Sequence, residues 1–292
     1  MKVVLCNGGL GNQTFQYIFA RFIELAGGAE CYLDDSAFFG GQVEHNGFEM
    51  RKVFPNCRPR LLSECFTQDV WQYVLQKKAE GQNVVQLWKE MGENFTLVAE
   101  TSDYQYNGNV VSVPANEYLP WLALAEGDIY YHGYWINKGY LKGSYEKILK
   151  KELEFPPFTG EKNIAYEKQI TETNSVALHI RRGDFVKVKW DRPAEIYEAG
   201  VSKLRETVSS PHFFLFSDDM KWCRDNLREM GIQEREATFV EGNSGIESYR
   251  DMQLMSCCKN IILVTASSFS YLAALLNRNE TFFAVNGTGR DI

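Results

Sequence analysis

The second half of the chain alternates short apolar runs with longer amphipathic segments, and this alternation limits the possible folds more than any other feature. Five short runs predict strands, at residues 175–180, 212–216, 238–241, 260–264 and 281–285. Helical spacing of apolar residues predicts helices between them, at residues 194–208, 219–230, 245–258 and 268–276. Short strands that alternate with helices are typical of a parallel sheet that is covered on both faces. We therefore expect an α/β fold.

The first half begins in the same way. The pattern predicts a strand, a glycine-rich turn, a helix and a second strand, at residues 2–6, 7–11, 12–26 and 29–33. Further helices are expected at 62–79, 84–91 and 138–153, and strands at 107–113 and 128–135. Segment 155–160 contains two adjacent prolines and is the best candidate for a linker. We expect two Rossmann-like lobes, residues 1–158 and 159–292, each with a parallel sheet and with a cleft between them.

Composition narrows the class of protein. The 292 residues carry a formal net charge of −7, so a broad nucleic-acid surface, which is usually basic, is not expected. The seven cysteines are irregularly spaced without a C-x-x-C pair, which favours free thiols in a reducing compartment. No apolar stretch suits a signal peptide or reaches the ~20 residues of a spanning helix. A cytoplasmic protein is expected, and the lysine-rich face predicted over 138–153 leaves open a peripheral contact with the inner face of the membrane.

The glycine-rich turn contains the first candidate site residues, which are Gly9, Gly11, Asn12 and Gln13. Glycine lets the backbone approach a ligand closely, and the N-terminus of the following helix attracts anions. The dinucleotide fingerprint G-x-G-x-x-G fails because Thr14 occupies its third glycine position, although Asp34 falls roughly where that fold keeps its ribose-binding acid. A tight strand-to-helix turn without a ligand is the alternative.

The most informative motif is the hexapeptide His-Ile-Arg-Arg-Gly-Asp at residues 179–184, which directly follows a predicted strand. Ligands of open α/β sheets bind at the carboxyl ends of strands, and the guanidinium fork matches phosphate oxygens bidentately. The pattern favours a polyanion held by Arg181 and Arg182, with His179 beside them. A surface turn with an Arg–Asp ion pair is the alternative.

A second strand end carries Ser217, Asp218 and Asp219. These carboxylates can accept hydrogen bonds from a base edge or a ribose. Capping of the next helix by one aspartate stays open. A divalent metal is disfavoured because adjacent side chains on a strand point apart.

A third strand end leads into Thr-Ala-Ser-Ser-Phe-Ser at residues 265–270, which begins a helix. Hydroxyls and free helix N–H groups can cradle an anion, so Ser267, Ser268 and Ser270 are candidate ligands, with a simple N-cap by Ser268 as the alternative. Three of the four motifs lie in the second lobe. Their spacing predicts a nucleotide-bearing donor that is held mainly there, without an obligatory metal.

Together these segments resemble the bacterial alpha-1,2-fucosyltransferases of glycosyltransferase family 11. The family patterns G-G-L-G-N-Q-M-F-Q-Y, H-x-R-R-G-D-Y, F-S-D-D and N-S-T-F-S-W-W-G-A-W-L correspond to residues 8–17, 179–185, 216–219 and 266–276. Segment 132–135 is similar as well, and the resemblance runs from residue 3 to about 285. The departures at Ala266, Tyr271-Leu272 and Ile136 concern the acceptor and the linkage more than the donor.

The resemblance implies a GT-B-like fold and an inverting transfer of L-fucose from GDP-fucose, with no cofactor and no metal. The implied acceptor is an oligosaccharide or glycolipid, with attachment at O2 of a terminal galactose. Arg181 would be the main diphosphate ligand and His179 would lie beside it. Arg182, Asp184 and the serine turn would contact the donor, while Asn12 and Gln13 would face the cleft from the first lobe. The first lobe would be the acceptor side, and the second lobe would be the nucleotide-sugar donor side.

An acceptor hydroxyl needs a base, and a carboxylate suits that task. Asp184 and Asp191 are both candidates, and the sequence does not choose between them. The alternatives for the whole protein are a transferase with another nucleotide sugar or linkage, a nicotinamide oxidoreductase, and a non-catalytic carbohydrate-binding relative.

Overall fold

The structure of the protein is a computed structural model, which describes residues 1–39, 45–82, 84–92, 94–264, 267–277, 279 and 282–284. The chain divides into two compact units, Met1–Pro156 and Pro157–Ile292. The division falls between the two adjacent prolines of the predicted linker. Proline has no backbone N–H and restricts the residue before it, so regular structure does not continue across this point.

The first unit contains a six-stranded, mostly parallel sheet. Its strands are β1 (Lys2–Leu5), β2 (Cys31–Asp34), β3 (Thr96–Thr101), β4 (Gln105–Asn107), β5 (Val110–Pro114) and β6 (Ile129–His132). They lie in the order β2-β1-β6-β3-β5-β4, where β4 and β5 are antiparallel and the other pairs are parallel. The α-helices of this unit are α1 (Leu10–Gly27), α2 (Met50–Val53), α3 (Gln68–Ala79), α4 (Val84–Glu90) and α5 (Glu146–Glu152).

The helix α1 follows β1 through the predicted glycine turn. Phe15, Ile18, Phe19 and Phe22 are buried, as their spacing along one helical face predicts. The chain goes from β1 to β2 on one side, while β6 pairs with β1 on the other side. The topological switch point of this sheet therefore lies between the carboxyl ends of β1 and β6.

Three predictions for the first unit are wrong in detail. The helix expected over 62–79 is a 3₁₀ turn at Leu62–Glu64 and the separate helix α3. The helix expected over 138–153 is a 3₁₀ turn at Lys138–Tyr140 and the separate helix α5, because Gly143 has a φ of 101° that interrupts a helix. The lysines at the proposed membrane contact therefore do not lie on one continuous helix. The strand expected over 107–113 is the antiparallel pair of β4 and β5, and β3 has no clear signal in the sequence.

The second unit contains a five-stranded parallel sheet. Its strands are β7 (Asn174–Ile180), β8 (Pro211–Ser217), β9 (Ala237–Phe239), β10 (Asn260–Leu263) and β11 (Phe282–Ala284). Their order is β11-β10-β7-β8-β9. The α-helices are α6 (Glu161–Glu172), α7 (Gly183–Lys187), α8 (Ala194–Arg205), α9 (Met220–Asp225), α10 (Tyr249–Cys257) and α11 (Ser268–Leu275). The predicted α/β class with parallel sheets is confirmed, as are the five strands and four helices expected here, while α6 and α7 were not predicted.

The two faces of β7 have different environments. Val176, Leu178 and Ile180 lie in a fully buried cluster with residues of α8. The alternate residue His179 contacts Phe269 of α11 instead, which fits the two-residue period of a strand. Since the chain leaves β7 towards β8 and returns to β10, the switch point of this sheet lies between β7 and β10. None of the helices in the described ranges is long and apolar enough to cross a bilayer.

Candidate functional site

The carboxyl edge of the second sheet brings three of the four predicted motifs together. In the parallel register, Ile180 of β7 lies opposite Ser217 of β8, and Leu178 lies opposite Ile262 of β10. The hexapeptide, the Ser-Asp-Asp segment and the serine turn therefore leave three adjacent strands at one edge. This edge includes the switch point, where open α/β sheets bind ligands.

Arg181 has the more exposed guanidinium of the arginine pair, with 31% of its side chain accessible. Its Nη2 lies 2.8 Å from Oδ1 of Asp184, and its Nη1 lies 2.8 Å from Oδ2 of Asp218. The guanidinium carbon is 6.0 Å from the centre of the Phe185 ring. Both terminal nitrogens of the guanidinium therefore face a carboxylate in the free protein.

Arg182 is held differently, and only 16% of its side chain is accessible. Its Nη1 lies 3.1 Å from Oδ2 of Asp191, and its Nε donates to Oδ2 of Asp219 at 3.2 Å. Its guanidinium carbon lies 4.5 Å from the centre of the Trp222 ring. The two arginines thus face separate partners, and this arrangement favours Arg181 over Arg182 as an anion ligand.

Asp218 sets the shape of the turn that carries both arginines. Its Oδ1 accepts from the backbone N–H of Arg182 at 2.8 Å, and its Oδ2 pairs with Arg181. A Cβ added to Gly183 would lie 2.7 Å from that Oδ2, so any larger residue here would have to displace the Asp218 carboxylate. The carboxylate predicted to contact a base or ribose therefore holds the turn in place.

Ser217 and Asp219 also have structural partners. The Ser217 hydroxyl donates to the carbonyl of Ile180 at 2.7 Å and accepts from the N–H of Asp219 at 3.0 Å. Asp219 is the N-cap of α9, where Oδ1 accepts from the N–H of Trp222 at 3.0 Å. The capping role considered for one aspartate thus belongs to Asp219, and Asp218 and Asp219 face different arginines.

The cluster carries a negative formal charge before any ligand binds. Two guanidinium groups face four carboxylates, which belong to Asp184, Asp191, Asp218 and Asp219. An anion therefore has to take the place of a carboxylate at Arg181 rather than bind beside it. Asp184 is the more exposed of the two partners of Arg181, so it is the one more easily replaced.

His179 lies under this edge as a buried neutral ring. It is 8% exposed, and its ring centre is 5.7 Å from that of Phe269. Burial, and secondly the positive charge of Arg181, lower its pKa to about 4. Its buried Nδ1 has no hydrogen-bond partner among the residues that the structure describes. A neutral ring of this kind can donate or accept one hydrogen bond, but it does not supply a second cation.

The serine turn provides the start of α11. Ser267 occupies the N-cap position, where the alternative interpretation placed Ser268, and its side chain makes no cap hydrogen bond. Ser267 and Ser270 are buried, and the Ser270 hydroxyl donates to the carbonyl of Ser267 at 3.3 Å. Because the Ser267 side chain does not cap the helix, the N–H groups of its first turn can donate to an anion. Thr265 and Ala266 of the same motif lie outside the described residues.

The glycine turn of the first unit lies at the carboxyl end of β1. Gly8 has a φ of 74°, and a Cβ there would lie 2.8 Å from Nδ2 of Asn12, so this position needs glycine. Gly9 is the N-cap of α1 and, without a side chain, leaves the first N–H groups of the helix uncapped, while Gly11 is buried in the first turn. Asn12 is half-buried in the first turn of the helix.

Gln13 has a structural role in the same turn. It is fully buried, and its Nε2 donates to the carbonyls of Gly8 and Gly47 at 2.9 Å each. Its Oε1 accepts from the N–H of Glu49 at 2.9 Å. Because the amide already has these three partners, the structure does not favour Gln13 as a donor-binding side chain.

Asp34 does not suit the nicotinamide interpretation. It is 1% exposed, and its Oδ2 accepts from the hydroxyl of Tyr130 at 2.7 Å. Its Oδ1 accepts from the N–H of Ser36 at 3.0 Å. A carboxylate that is buried and fully engaged in this way is not available to a ribose.

Phe185 and Trp222 were not among the predicted site residues. Each ring lies against one arginine of the pair. In the sequence, each of these aromatic residues follows a strand-end motif. This is a weak signal for a site residue, because only the folded chain shows which arginine the ring contacts. Over the described ranges, no group of three or more His, Cys, Asp or Glu side chains is arranged to hold a metal ion.

Comparison with known proteins agrees with this geometry. The sequence model of glycosyltransferase family 11 matches residues 112–291, which include all three motifs of the second unit. The chain belongs to glycosyltransferase family 11. The resemblance inferred from the motifs is therefore confirmed.

Two relatives and one solved structure show how far the likeness extends. An alpha-1,2-colitosyltransferase of Escherichia coli is 32% identical over 161 residues, which cover 53% of each chain. Galactoside 2-alpha-L-fucosyltransferase SEC1 of Bos taurus is 31% identical over 121 residues, which cover 39% of this chain and 31% of that protein. The matches thus span about half and a third of these relatives. The alpha-1,6-fucosyltransferase NodZ from Bradyrhizobium, soaked with GDP-fucose, superposes with a TM-score of 0.52 at 12% identity, covering 94% of this chain and 92% of NodZ. This likeness confirms the GT-B-like fold.

Proposed function

We propose that the protein transfers L-fucose from GDP-fucose to a glycan hydroxyl, and O2 of a terminal galactose is the hydroxyl that we favour. The transfer is proposed to invert the configuration at the anomeric carbon and to need no metal ion. The observation that carries the proposal is the position of Arg181, a part-exposed guanidinium at the switch point of the second sheet in a member of family 11. The names of both curated relatives specify alpha-1,2 transfer, which supports that linkage.

Donor binding begins with an exchange of partners at Arg181. The diphosphate takes the Nη2 that pairs with Asp184 in the free protein, and the N–H groups at the start of α11 bind the same anion. As the bond between the sugar and the diphosphate breaks, negative charge grows on the departing GDP. A guanidinium already in place stabilises that charge more in the transition state than in the ground state.

The same exchange supplies the base. Asp184 loses its ion pair with Arg181, and its carboxylate becomes available to accept the proton of the acceptor hydroxyl. The acceptor oxygen bonds to the anomeric carbon on the face opposite the diphosphate, the bond to the diphosphate breaks, and the proton goes to Asp184. Asp191 stays paired with Arg182, so it is the less suitable of the two candidates.

The proposed acceptor is an oligosaccharide or a glycolipid. The proposed location is the cytoplasm, and a peripheral contact with the inner face of the membrane is compatible with it. Irregularly spaced cysteines support a reducing compartment. Separation of cells into soluble, membrane and periplasmic fractions tests this location.

The decisive experiment is incubation of the purified protein with GDP-fucose and a panel of galactose-terminated glycans. We expect equimolar release of GDP and of a fucosylated product, with an alpha-1,2 linkage by NMR and undiminished activity in EDTA. Glycan binding without release of GDP would instead support the non-catalytic alternative. Activity that is lost in EDTA and restored by a divalent ion would overturn the metal-independent part of the proposal.

Colitose is the second donor sugar to compare, because a colitosyltransferase is among the relatives. Colitose lacks the 3-hydroxyl of fucose. A site that hydrogen-bonds this hydroxyl discriminates strongly against the deoxy sugar, whereas an apolar site does not. The ratio of kcat/KM for GDP-fucose to that for GDP-colitose therefore identifies the natural donor.

A further inference from the structure

The segment that follows the hexapeptide places an exposed indole beside the donor site. The helix α7 ends at Lys187, and Lys189 has a φ of 59°, which turns the chain back on itself. The backbone N–H of Trp190 then donates to the carbonyl of Phe185 at 2.8 Å. This turn fixes the indole next to the residue that lies against Arg181.

Trp190 is 63% exposed. All six tryptophans lie in the described ranges, and none of the other five is as exposed. The indole meets the Phe185 ring edge-on, with ring centres 5.8 Å apart. The guanidinium of Arg181 approaches the same Phe185 ring, at 6.0 Å from its centre. Trp190 thus contacts Phe185 next to Arg181 and leaves most of its own surface to solvent.

We propose that Trp190 is the platform on which a pyranose ring of the acceptor glycan stacks, so that the reacting hydroxyl lies near Asp184. This inference rests on the proposed function and adds an acceptor-binding residue to it. One face of a galactose ring presents C–H groups, which pack well on a flat indole. Lys187 and Lys189 are exposed and lie within three residues of Trp190 in the sequence, and their ammonium groups can donate hydrogen bonds to sugar hydroxyls.

The position of Trp190 favours a sugar over a bilayer as its occupant. The reacting oxygen has to come within roughly 3–3.5 Å of the anomeric carbon, so the acceptor must approach the edge that Asp184 and Arg181 occupy. The neighbouring Asp191 is paired with Arg182, which ties the end of this segment to the same edge. Val186 and Val188 are also exposed here, so a lipid surface is the competing occupant and belongs in the test.

The test compares Trp190→Ala, Trp190→Phe and the control Trp121→Ala, whose indole is 46% exposed in the first unit. Initial rates give the KM for acceptor and for GDP-fucose separately, and calorimetry gives the affinity for GDP. We expect the acceptor KM of Trp190→Ala to rise by about tenfold, by analogy with the loss of one nucleic-acid base stacked on an aromatic side chain. The Phe variant should recover part of this loss. The KM for donor and the affinity for GDP should not change, and Trp121→Ala should behave as the wild type.

An unchanged acceptor KM in Trp190→Ala would overturn the inference, and so would a loss of GDP affinity, which indicates a purely structural role. Binding to vesicles of anionic phospholipid that depends on Trp190, together with a normal acceptor KM, would assign the indole to a lipid surface and overturn the inference as well. If the wild type transfers no sugar, the proposed function fails by itself. Indole fluorescence then decides the question: a glycan-dependent change that Trp190→Phe abolishes supports the platform, and its absence in the wild type overturns it.

Discussion

Oδ2 of Asp218 lies 2.8 Å from Nη1 of Arg181. The same carboxylate accepts from the backbone N–H of Arg182 and occupies the space that a Cβ on Gly183 would need. The end of β8 therefore determines the shape of the turn after β7, although the two segments are far apart in the sequence. A larger side chain at position 183 should therefore displace the Asp218 carboxylate and weaken its ion pair with Arg181.

We predict that Gly183→Ala weakens both the fold and donor binding. The added Cβ would lie 2.7 Å from Oδ2 of Asp218, so the carboxylate has to move and Arg181 loses a partner. An extra methyl group in a packed core typically costs about 1–3 kcal/mol, and because Gly183 is exposed we expect a loss of about 1 kcal/mol. Chemical denaturation measures the loss of stability, and calorimetry with GDP measures the loss of affinity.

A double-mutant cycle separates the contact with Asp218 from a general effect of alanine at position 183. In the Asp218→Ala background the clash is gone, so Gly183→Ala should cost much less there. Equal costs in the two backgrounds would show that Asp218 is not the reason that glycine is needed.

The two adjacent arginines should give opposite phenotypes. Arg181→Ala removes the proposed diphosphate ligand and should lower kcat/KM by roughly 10²–10³, by analogy with the loss of an oxyanion-hole donor. The melting temperature should change little. Arg182→Ala removes the partner of Asp191, Asp219 and Trp222, so its main effect should be on stability.

Each arginine variant is the control for the other. Steady-state kinetics measure the activity of both variants, and thermal denaturation measures their stability. Normal transfer by folded Arg181→Ala would refute the role assigned to Arg181. A stable Arg182→Ala with a selective loss of GDP affinity would restore the original prediction that both guanidiniums bind the donor.

Much of the second unit is predictable from the sequence because its strands are short apolar runs that are buried on both faces. β7, β8 and β10 are recognisable in this way, and their parallel order places three motifs at one edge. The separate partners of Arg181 and Arg182 are not predictable, because they depend on the direction of each side chain after the strand ends. Gly143 shows a similar limit, since a lysine-rich helical pattern does not reveal the backbone conformation that divides it.

His179 should make the protein less stable in mild acid. Its pKa is about 4 in the folded protein, against an ordinary value of 6.5, chiefly because the ring is buried. The unfolded chain takes up the proton as the pH falls below 6.5, while the folded protein does not until about pH 4. The contribution of the neutral ring to stability is therefore complete above pH 6.5 and is lost towards pH 4, by about 3 kcal/mol in total.

The measurement is the free energy of unfolding of the wild type and of His179→Gln between pH 4 and pH 7.5. Glutamine does not titrate, so the difference between the two curves isolates this one ring from the carboxylates that also titrate in this range. We expect the wild type to lose more stability on acidification than the variant. Parallel curves would mean that His179 is not held neutral.

Asp251 should have the opposite pH dependence. It lies on α10, where its Oδ1 accepts from Nδ2 of Asn243 at 2.8 Å, and Asn243 exchanges two hydrogen bonds of 3.0 Å with Asn163. Burial raises the pKa of this carboxyl to about 7, and the bond from Asn243 offsets only part of that rise. The unfolded chain loses the proton near pH 3.8, whereas the folded protein keeps it up to about pH 7. The favourable contribution of the protonated group is therefore complete below pH 3.8 and declines as the pH rises to about 7.

We predict that Asp251→Asn stabilises the protein at pH 8 by roughly 2–4 kcal/mol, because an amide keeps the acceptor for Asn243 without a charge to bury. The gain should shrink as the pH falls towards 4. Asp225→Asn is the matched control, since Asp225 is an exposed carboxylate on α9 that pairs with Lys221, and its removal should have little effect at any pH. Chemical denaturation of the three proteins at pH 4, 6 and 8 checks the prediction. A loss of stability in Asp251→Asn at pH 8 would show that the folded protein prefers the ionised carboxylate, and that the three-residue network stabilises its charge.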